Sequence, residues 1–372
     1  MNIMHFADYK APYEGNFILS LKALEEKIKS ENMNMIYVFT KGAKSQKWAQ
    51  ELVNQKKTVY FLGDSFIKNI TAFARIIRRH NIKLIHTHFS IFKYDLTLKI
   101  ARILSKKTVY VRHMHMLYKN KKNPLAEKLK RFVANADIEI SCNKSVYQAM
   151  RDEGFNPANM ITVTNAVDFS RIDSFENIDR KTFGIPENSK VVLMFGYNYP
   201  VKGVDLAVRA VNTLNEKGRD TTLLIVAASG AEQVKECIIN DFGKIEGHIK
   251  FLPPRNDIAS YYKMADVFLS ASRSEGLSYA LIEAKYCGVL TVASDIPGNV
   301  RESDELMFES ENVSSLVDKL EYAFDIGDDY KSNILSRQKD FAIREFGLDR
   351  WIDDIIKIYS DVYKRVNKKR FK

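Results

Sequence analysis

Cysteine is scarce in this 372-residue chain: Cys142, Cys237 and Cys287 are odd in number, far apart and never arranged as Cys-x-x-Cys. That excludes a disulfide-stapled scaffold and a structural metal ribbon, and it fits a reducing cytoplasm. No window approaches the roughly eighteen apolar residues that a membrane-spanning helix needs. The opening residues, MNIMHFADYKAPYEGN, have no basic segment followed by a long apolar run, so neither a span nor a signal peptide is expected. Low-complexity tracts and internal repeats of about 20–50 residues are also missing, which argues against a solenoid.

What is there points to packed domains with a lopsided charge. Hydrophobic residues make up 45% of the chain, enough for sizeable cores, and the length favours two domains. The net charge of +11 is unevenly spread: residues 1–170 carry 28 Lys and Arg against 14 Asp and Glu, residues 171–372 carry 29 against 32, and the final KRVNKKRFK alone holds six basic residues. A basic face calls for an anionic partner or is merely solvated. Nucleic acid is not expected, because no groove-reading helix or stacking module is recognisable.

Strand-like and helix-like segments alternate through the first half: MNIMHF, a helix from about Phe17 to Lys29, MIYVFT, KSQKWAQELVNQ, TVYFLG and IKNITAFARIIRRHN, then KLIHTHF, TVYVRHM, DIEISC and MITVTN. Repeated strand–helix–strand is the pattern of a parallel sheet wound on both faces. The polar stretch SRIDSFENIDRKTFGIPENSK reads as a linker, after which KVVLMFGYN, GVDLAVRAVNTLNEKG, TTLLIVAA and their successors restart the rhythm. The expected fold class is α/β, with two Rossmann-like doubly wound domains, residues 1–170 and 171–347, facing across a cleft where ligands lie beyond the strand ends. Residues 348–372 form an amphipathic helix, with Ile352, Ile355, Ile356 and Tyr359 at helical spacing.

The stretch SRSEGLSYALIEAKYCG, Ser272 to Gly288, holds two glutamates eight residues apart. Glu-Gly breaks the preceding strand VFLSAS, and SYALIEAKYCG reads as a helix opening on Ser278 as N-cap and closing on Gly288. A strand that turns through glycine into a helix directs backbone N–H groups above the sheet, which suits an anion. An ordinary strand–helix unit with two surface carboxylates is the plain alternative.

Taken in order, the Glu14-Gly15-Asn16 loop, IHTHF, YVRHM, NAVD, FGYNYPVKGVDLAVRA, FLPPRNDIASYYKMADVFLSAS and SEGLSYALIEAKYCGVLTVASDIPG resemble the retaining glycosyltransferases of the two-domain GT-B fold. That is the large paired-glutamate family, glycosyl transferases group 1 or family 4, and the type matched is the bacterial surface-polysaccharide type. The resemblance implies roles for these residues. Glu283 accepts from the donor's ribose hydroxyls, and Glu275 lies near the transferred sugar. The N–H groups of Leu277, Ser278 and Tyr279 meet the diphosphate and sugar at the helix start. Lys202 neutralises the departing diphosphate, a fixed cation where negative charge grows. His113 reaches across to the donor sugar, with His115 as the fallback. Gly15 and Asn16 give close backbone approach in the first domain. Many relatives carry Gly-Arg where this chain has Gly196 and Tyr197, and a phenol cannot supply that charge. Either Tyr197 donates one hydrogen bond, or Arg273 or Arg255 compensates, or the chain is a weak or inactive relative. Compensation is favoured.

His86 and His88, taken to face opposite sides of their strand, are expected to line the cleft without binding metal. No Asp-x-Asp ends a hydrophobic strand, so no cofactor and no catalytic metal are expected. The resemblance further implies front-face transfer with retention, from a nucleotide sugar whose base is expected to be uracil, to a glycan or lipid-linked acceptor. LYKNKKNPLAEKLKRF, with Lys119, Lys121 and Lys122, together with the tail residues Lys364, Arg365, Lys368, Lys369 and Arg370, suggests peripheral attachment to an anionic leaflet at the inner face of the cell membrane, with the last helix crossing back to the N-terminal domain. Alternatives are an epimerase or phosphorylase on the same scaffold, or a non-catalytic nucleotide-sugar-binding partner of an active transferase.

Overall fold

The computed structural model describes residues 1–12, 14–89, 92–105, 108–115, 136–173, 175–227, 230–255 and 257–370, with the backbone alone for residues 92, 104, 105 and 365–370. The basic stretch from Leu117 to Phe132 lies outside the described residues. Two compact units emerge, one formed by Met1–Ala166 together with Leu348–Lys372 and the other by Val167–Gly347.

In the first unit, β1 (Asn2–Ala7), α1 (Gly15–Ser30), β2 (Asn34–Thr40), α2 (Lys47–Asn54), β3 (Val59–Leu62), α3 (Phe66–Arg79), β4 (Ile82–His88), α4 (Phe92–Ser105), β5 (Val109–Met114), β6 (Ile138–Ser141), α5 (Lys144–Asp152) and β7 (Met160–Thr162) follow one another. The sheet runs β3-β2-β1-β4-β5-β6-β7, and each neighbouring pair is parallel. Helices cover both faces, so β1 is buried along nearly its whole length rather than on alternate residues. In α1, Ile18, Leu21, Leu24 and Ile28 recur at three- and four-residue steps and turn one stripe inward. The C-terminal helix Leu348–Arg370 belongs to this unit. Its Trp351, Ile352, Ile355, Tyr359 and Val362 are buried in the same core as Leu21, Val111 and Ile140.

In the second unit, β8 (Lys190–Phe195), α6 (Val204–Glu216), β9 (Thr221–Val226), α7 (Ala231–Phe242), β10 (Ile249–Leu252), α8 (Ala259–Met264), β11 (Val267–Ser270), α9 (Tyr279–Cys287), β12 (Leu290–Ser294), β13 (Met307–Phe308), α10 (Val313–Asp325) and α11 (Asp328–Phe346) build a sheet of order β10-β9-β8-β11-β12-β13, again parallel throughout. The stretch taken for a linker is part of this unit. Ile172 and Ile185 are buried in a core with Tyr261, Tyr262 and Phe268. Arg180 donates to the Met264 carbonyl at 3.0 and 2.7 Å. Charge dominates its composition, but an apolar minority of Ile172, Ile178, Phe183 and Ile185 pins the segment down.

The sheet orders reverse direction between β1 and β4 in the first unit and between β8 and β11 in the second. Chain leaving neighbouring strand ends at such a point diverges to opposite sides and opens a crevice above the sheet. At the second point the approach is tight. Gly203 has a φ of 62°, and a Cβ there would stand 2.0 Å from the Ala271 carbonyl oxygen. Gly203→Ala is therefore expected to destabilise the fold by about 3 kcal/mol or more, combining left-handed strain with a backbone collision. Gly218→Ala, at φ 78° with nothing within 4 Å, should cost only about 1 kcal/mol. Urea unfolding of the two variants measures the difference, and equal midpoints would mean that the turn yields freely.

Candidate active site

Three loops converge above the β8/β11 end of the second sheet. The first, after β8, is a turn in which the Asn198 carbonyl accepts from the Lys202 N–H at 2.9 Å and the Pro200 carbonyl accepts from Gly203. The second, after β11, is tied to it by the Arg273 N–H donating to the Val201 carbonyl at 2.8 Å. The third follows β12: a Cβ on Gly298 would stand 2.0 Å from the Glu275 carbonyl oxygen, and the Gly298 carbonyl accepts from the Ser278 N–H at 3.2 Å. Asn299, buried, clasps the arrangement by donating to the Ser294 carbonyl at 3.0 Å while accepting from the Ser270 hydroxyl at 3.1 Å.

Lys202 and Glu275 meet in this frame. The ammonium donates to Glu275 Oε1 at 2.5 Å, each side chain being only 13% exposed, and the Ser272 hydroxyl donates to the same oxygen at 2.8 Å. Burial works against the lysine's charge, but the carboxylate outweighs it and its pKa rises above the ordinary value. The site thus holds a fixed cation whose counter-ion is another candidate residue. Tyr197, half exposed, lies with its ring centroid 4.8 Å from the Lys202 ammonium, a contact that shields the cation without adding charge. Gly196 leaves no room for a side chain, since a Cβ would meet Ile225 at 2.7 Å.

Glu283 sits on the buried side of α9. Arg171 binds its Oε1, and the Tyr262 hydroxyl donates to its Oε2 at 3.3 Å. Arg171 was not singled out in the sequence, although it follows NAVD by three residues. Ser278 stands at the N-cap position as expected, but its side chain makes no capping bond. The Ser278 N–H is taken by Gly298 and the Tyr279 N–H by the Leu277 carbonyl at 3.0 Å. These amides are thus already engaged within the loop.

The two arginines proposed to replace the missing one are both committed to carboxylates. Arg273 forks onto Asp205 at 2.8 Å through both terminal nitrogens and also binds Glu311. Arg255 holds Asp257 at 2.7 Å and Glu176 at 2.8 Å.

In the first unit the C-terminal ends of β1, β4 and β5 gather five histidines. Register aligns His5 with His86 and His88 with His113. His86 and His88 do not face opposite sides: side chains two apart on a strand share a face, and their ring centroids are 4.1 Å apart. A chain of contacts runs from Asn165 Nδ2 to His115 Nδ1 at 3.2 Å, His115 Nε2 to His88 Nδ1 at 3.0 Å, His88 Nε2 to His5 Nδ1 at 3.1 Å, His5 Nε2 to the Tyr359 hydroxyl at 3.0 Å, and from there to His86 Nδ1 at 2.7 Å. His113 is buried, and neither of its ring nitrogens has a hydrogen-bond partner among the described residues. Burial pushes His5 and His115 down to about 3 and the other three well below the usual histidine value, so all five rings are neutral near pH 7. Gly15, at φ 55°, opens α1, where the Asn16 amide oxygen is buried without a partner. His5 went unnoticed in the sequence because nothing within MNIMHF marks it; only the strand register brings it to the others.

Residues 175–337 match the family described as Glycosyl transferases group 1, and residues 36–171 match Glycosyltransferase Family 4. The UDP-Gal:alpha-D-GlcNAc-diphosphoundecaprenol alpha-1,3-galactosyltransferase of Escherichia coli is 24% identical over 314 residues, 80% of either chain. The D-inositol 3-phosphate glycosyltransferase of Actinosynnema mirum is 27% identical over 180 residues, 45% of this chain and 42% of that one. Among solved structures, a glycosyltransferase from Rickettsia africae ESF-5 is similar at a TM-score of 0.82 and 19% identity, covering 98% of both chains. Anabaena Alr3699/HepE in complex with UDP follows at 0.79 and 17%, covering 97% of this chain and 100% of that one. Two family matches in chain order, on two parallel-sheet Rossmann-like units shared with GT-B glycosyltransferase structures, establish that the chain belongs to the group 1, family 4 glycosyltransferases.

Proposed function

We propose that the chain moves a sugar, with retention of anomeric configuration and without a metal, from a uridine diphosphate sugar to a glycan or lipid-linked acceptor in surface-polysaccharide synthesis. The observation that carries this is the Lys202–Glu275 pair held by three loops at the strand ends. As the glycosidic bond stretches, charge grows on the departing diphosphate, and a preorganised ammonium stabilises that state over the ground state. Glu275 keeps Lys202 fixed until the diphosphate arrives, and is then free to face the sugar's developing positive charge. Glu283 offers carboxylate oxygens to the ribose diol, with Arg171 holding the group in place. His113, a neutral ring with unpartnered nitrogens, suits a sugar hydroxyl. The departing diphosphate oxygen takes the acceptor's proton, so the protein supplies orientation and electrostatics. The uridine assignment is supported by the UDP-Gal of the similar Escherichia coli enzyme and the UDP held by Anabaena Alr3699/HepE, and a lipid-linked acceptor by the diphosphoundecaprenol in the former's name.

Tyr197 favours one rival reading, a non-catalytic nucleotide-sugar binder, because it adds no charge and both candidate arginines are engaged with carboxylates. Release of nucleoside diphosphate from a nucleotide sugar separates the two. Under the transferase reading, Lys202→Ala lowers turnover roughly a hundredfold or more while donor binding weakens less. Glu283→Ala instead raises the donor Michaelis constant, because ribose contacts exist equally in ground and transition states. Near-normal turnover in the first variant, or an unchanged constant in the second, would remove that residue from its role.

Peripheral membrane attachment is proposed from the basic stretch around Lys119, Lys121 and Lys122 and from the basic tail. Among the described residues no helix is long and apolar enough to cross a membrane. Anionic vesicles should co-sediment the protein at low salt, and should release it at high salt and after those three lysines are neutralised, each contributing about 1 kcal/mol near the surface. Absence of binding to anionic and neutral vesicles alike would refute it.

A further inference from the structure

Arg273 has no hydrogen-bond donor left to offer a ligand. Its Nε donates to Glu311 Oε1 at 2.5 Å, Nη1 to the Pro200 carbonyl at 2.6 Å and to Asp205 Oδ1 at 2.8 Å, and Nη2 to Asp205 Oδ2 at 2.8 Å and to Glu311 Oε2 at 3.0 Å. These bonds use every N–H of a guanidinium, and two carboxylates outnumber its one positive charge. Burial works to raise the pKa of Asp205, but the guanidinium outweighs it and holds the carboxyl below its ordinary value. Glu311 keeps a φ of 65°, a left-handed backbone that a non-glycine residue holds only where its surroundings fix it.

We infer that Arg273 is a positioning residue for Lys202. It fixes the turn that carries the lysine and, through its own main chain, the loop that carries Glu275; the inference rests on the diphosphate role proposed for Lys202. The side chain holds the turn at Pro200 and Asp205, and the Arg273 N–H holds it at the Val201 carbonyl at 2.8 Å, so the restraints bracket Lys202 in sequence. Asp205 lies in the first turn of α6, and the same fork therefore ties the turn to the helix that follows it. Glu275, two residues beyond Arg273, accepts from Lys202 at 2.5 Å. One planar group thus sets where both members of the pair stand. A lysine in its place would have three donors on a flexible stem, too few for these acceptors and in no fixed geometry.

Positioning and charge supply predict opposite outcomes for two variants. Arg273→Lys keeps the charge and loses the fork, while Asp205→Asn loosens the fork and frees positive charge. Under positioning, each lowers the kcat of UDP release from UDP-galactose or UDP-glucose by about ten- to a hundredfold, the scale of a misplacement near 1 Å. The donor Michaelis constant stays within a few fold, and the double variant is no worse than the more impaired single one, as expected of residues that act as a unit. Near-normal turnover in Arg273→Lys, or turnover undiminished in Asp205→Asn, would overturn the assignment.

Amide hydrogen exchange in the absence of ligand reads the turn directly, since the Lys202 and Gly203 N–H groups are bonded within it. Both variants should quicken exchange over residues 199–204 by about tenfold or more, while β9 stays as protected as in the wild type. Unchanged exchange at the turn, or equal quickening in β9, would mean that Arg273 does not position this loop. If the wild type releases no UDP from either sugar nucleotide, the transferase reading fails and exchange alone decides the role of Arg273. Circular dichroism shows whether each variant folds, and Glu311→Gln, which loosens the same guanidinium from its outer side, takes the place of one that does not.

Discussion

Both sheets are parallel in every strand pair, and helices cover both of their faces. Such strands have no solvent-facing side on which to display polar groups, so chemistry is confined to the C-terminal strand ends, where the connecting chain turns away. The candidate site residues of the second unit follow this rule. Past Lys190, β8 is apolar until the chain reaches Gly196, and β11 is apolar until Ser270. Lys202, Glu275 and the Ser272 hydroxyl all lie beyond those ends. The same rule in the first unit puts His88 and His113 at the last turns of β4 and β5.

Placement at the strand ends is not enough, because an ion pair buried in part is useful only if it cannot relax. Two close backbone approaches supply that rigidity: Gly203 against Ala271 and Gly298 against Glu275, each with room for hydrogen alone. Removing one partner of a well-buried pair leaves a charge that costs roughly 3–5 kcal/mol, and somewhat less at the partial exposure found here. An incoming diphosphate would therefore exchange one anionic neighbour of Lys202 for another rather than desolvate a bare cation. Arg171 stands to Glu283 as Glu275 stands to Lys202, an internal partner that keeps a polar group in place before a ligand arrives.

The two-unit α/β architecture was legible because alternating apolar runs and amphipathic helices are properties of local sequence, visible without knowing which strand lies beside which. The paired glutamates and Lys202 stand out in the sequence by order and spacing, and of these the structure brings Lys202 and Glu275 together. What could not be seen depended on contacts between distant segments. Ion pairs that occupy Arg273 and Arg255 join residues up to 79 positions apart. The segment after NAVD reads as a linker because charge dominates its composition, while Ile172, Ile178, Phe183 and Ile185 decide its packing. His86 and His88 were assigned opposite faces, an error of strand period rather than of missing information.

Strand register is also what makes the histidine cluster. His5, His86, His88 and His113 come from three strands, and because side chains alternate with period two, a slip of one residue in any strand would send its ring to the opposite face. The arrangement is self-consistent in a way that a random gathering of imidazoles would not be. Starting from the Asn165 amide, each neutral ring can accept from the previous member and donate to the next, through His115, His88 and His5 to the Tyr359 hydroxyl and then His86. One proton per ring satisfies every link with the same polarity, which is why these four histidines can be buried uncharged. Tyr359 comes from the C-terminal helix, whose apolar stripe packs on the first unit. That helix thus contributes a polar link as well as hydrophobic cover, and its phenol both accepts from His5 and donates to His86. The one ring outside the chain is His113, on the strand next to β4. Like His86 Nε2 at the end of the chain, both of its ring nitrogens are buried without a hydrogen-bond partner among the described residues.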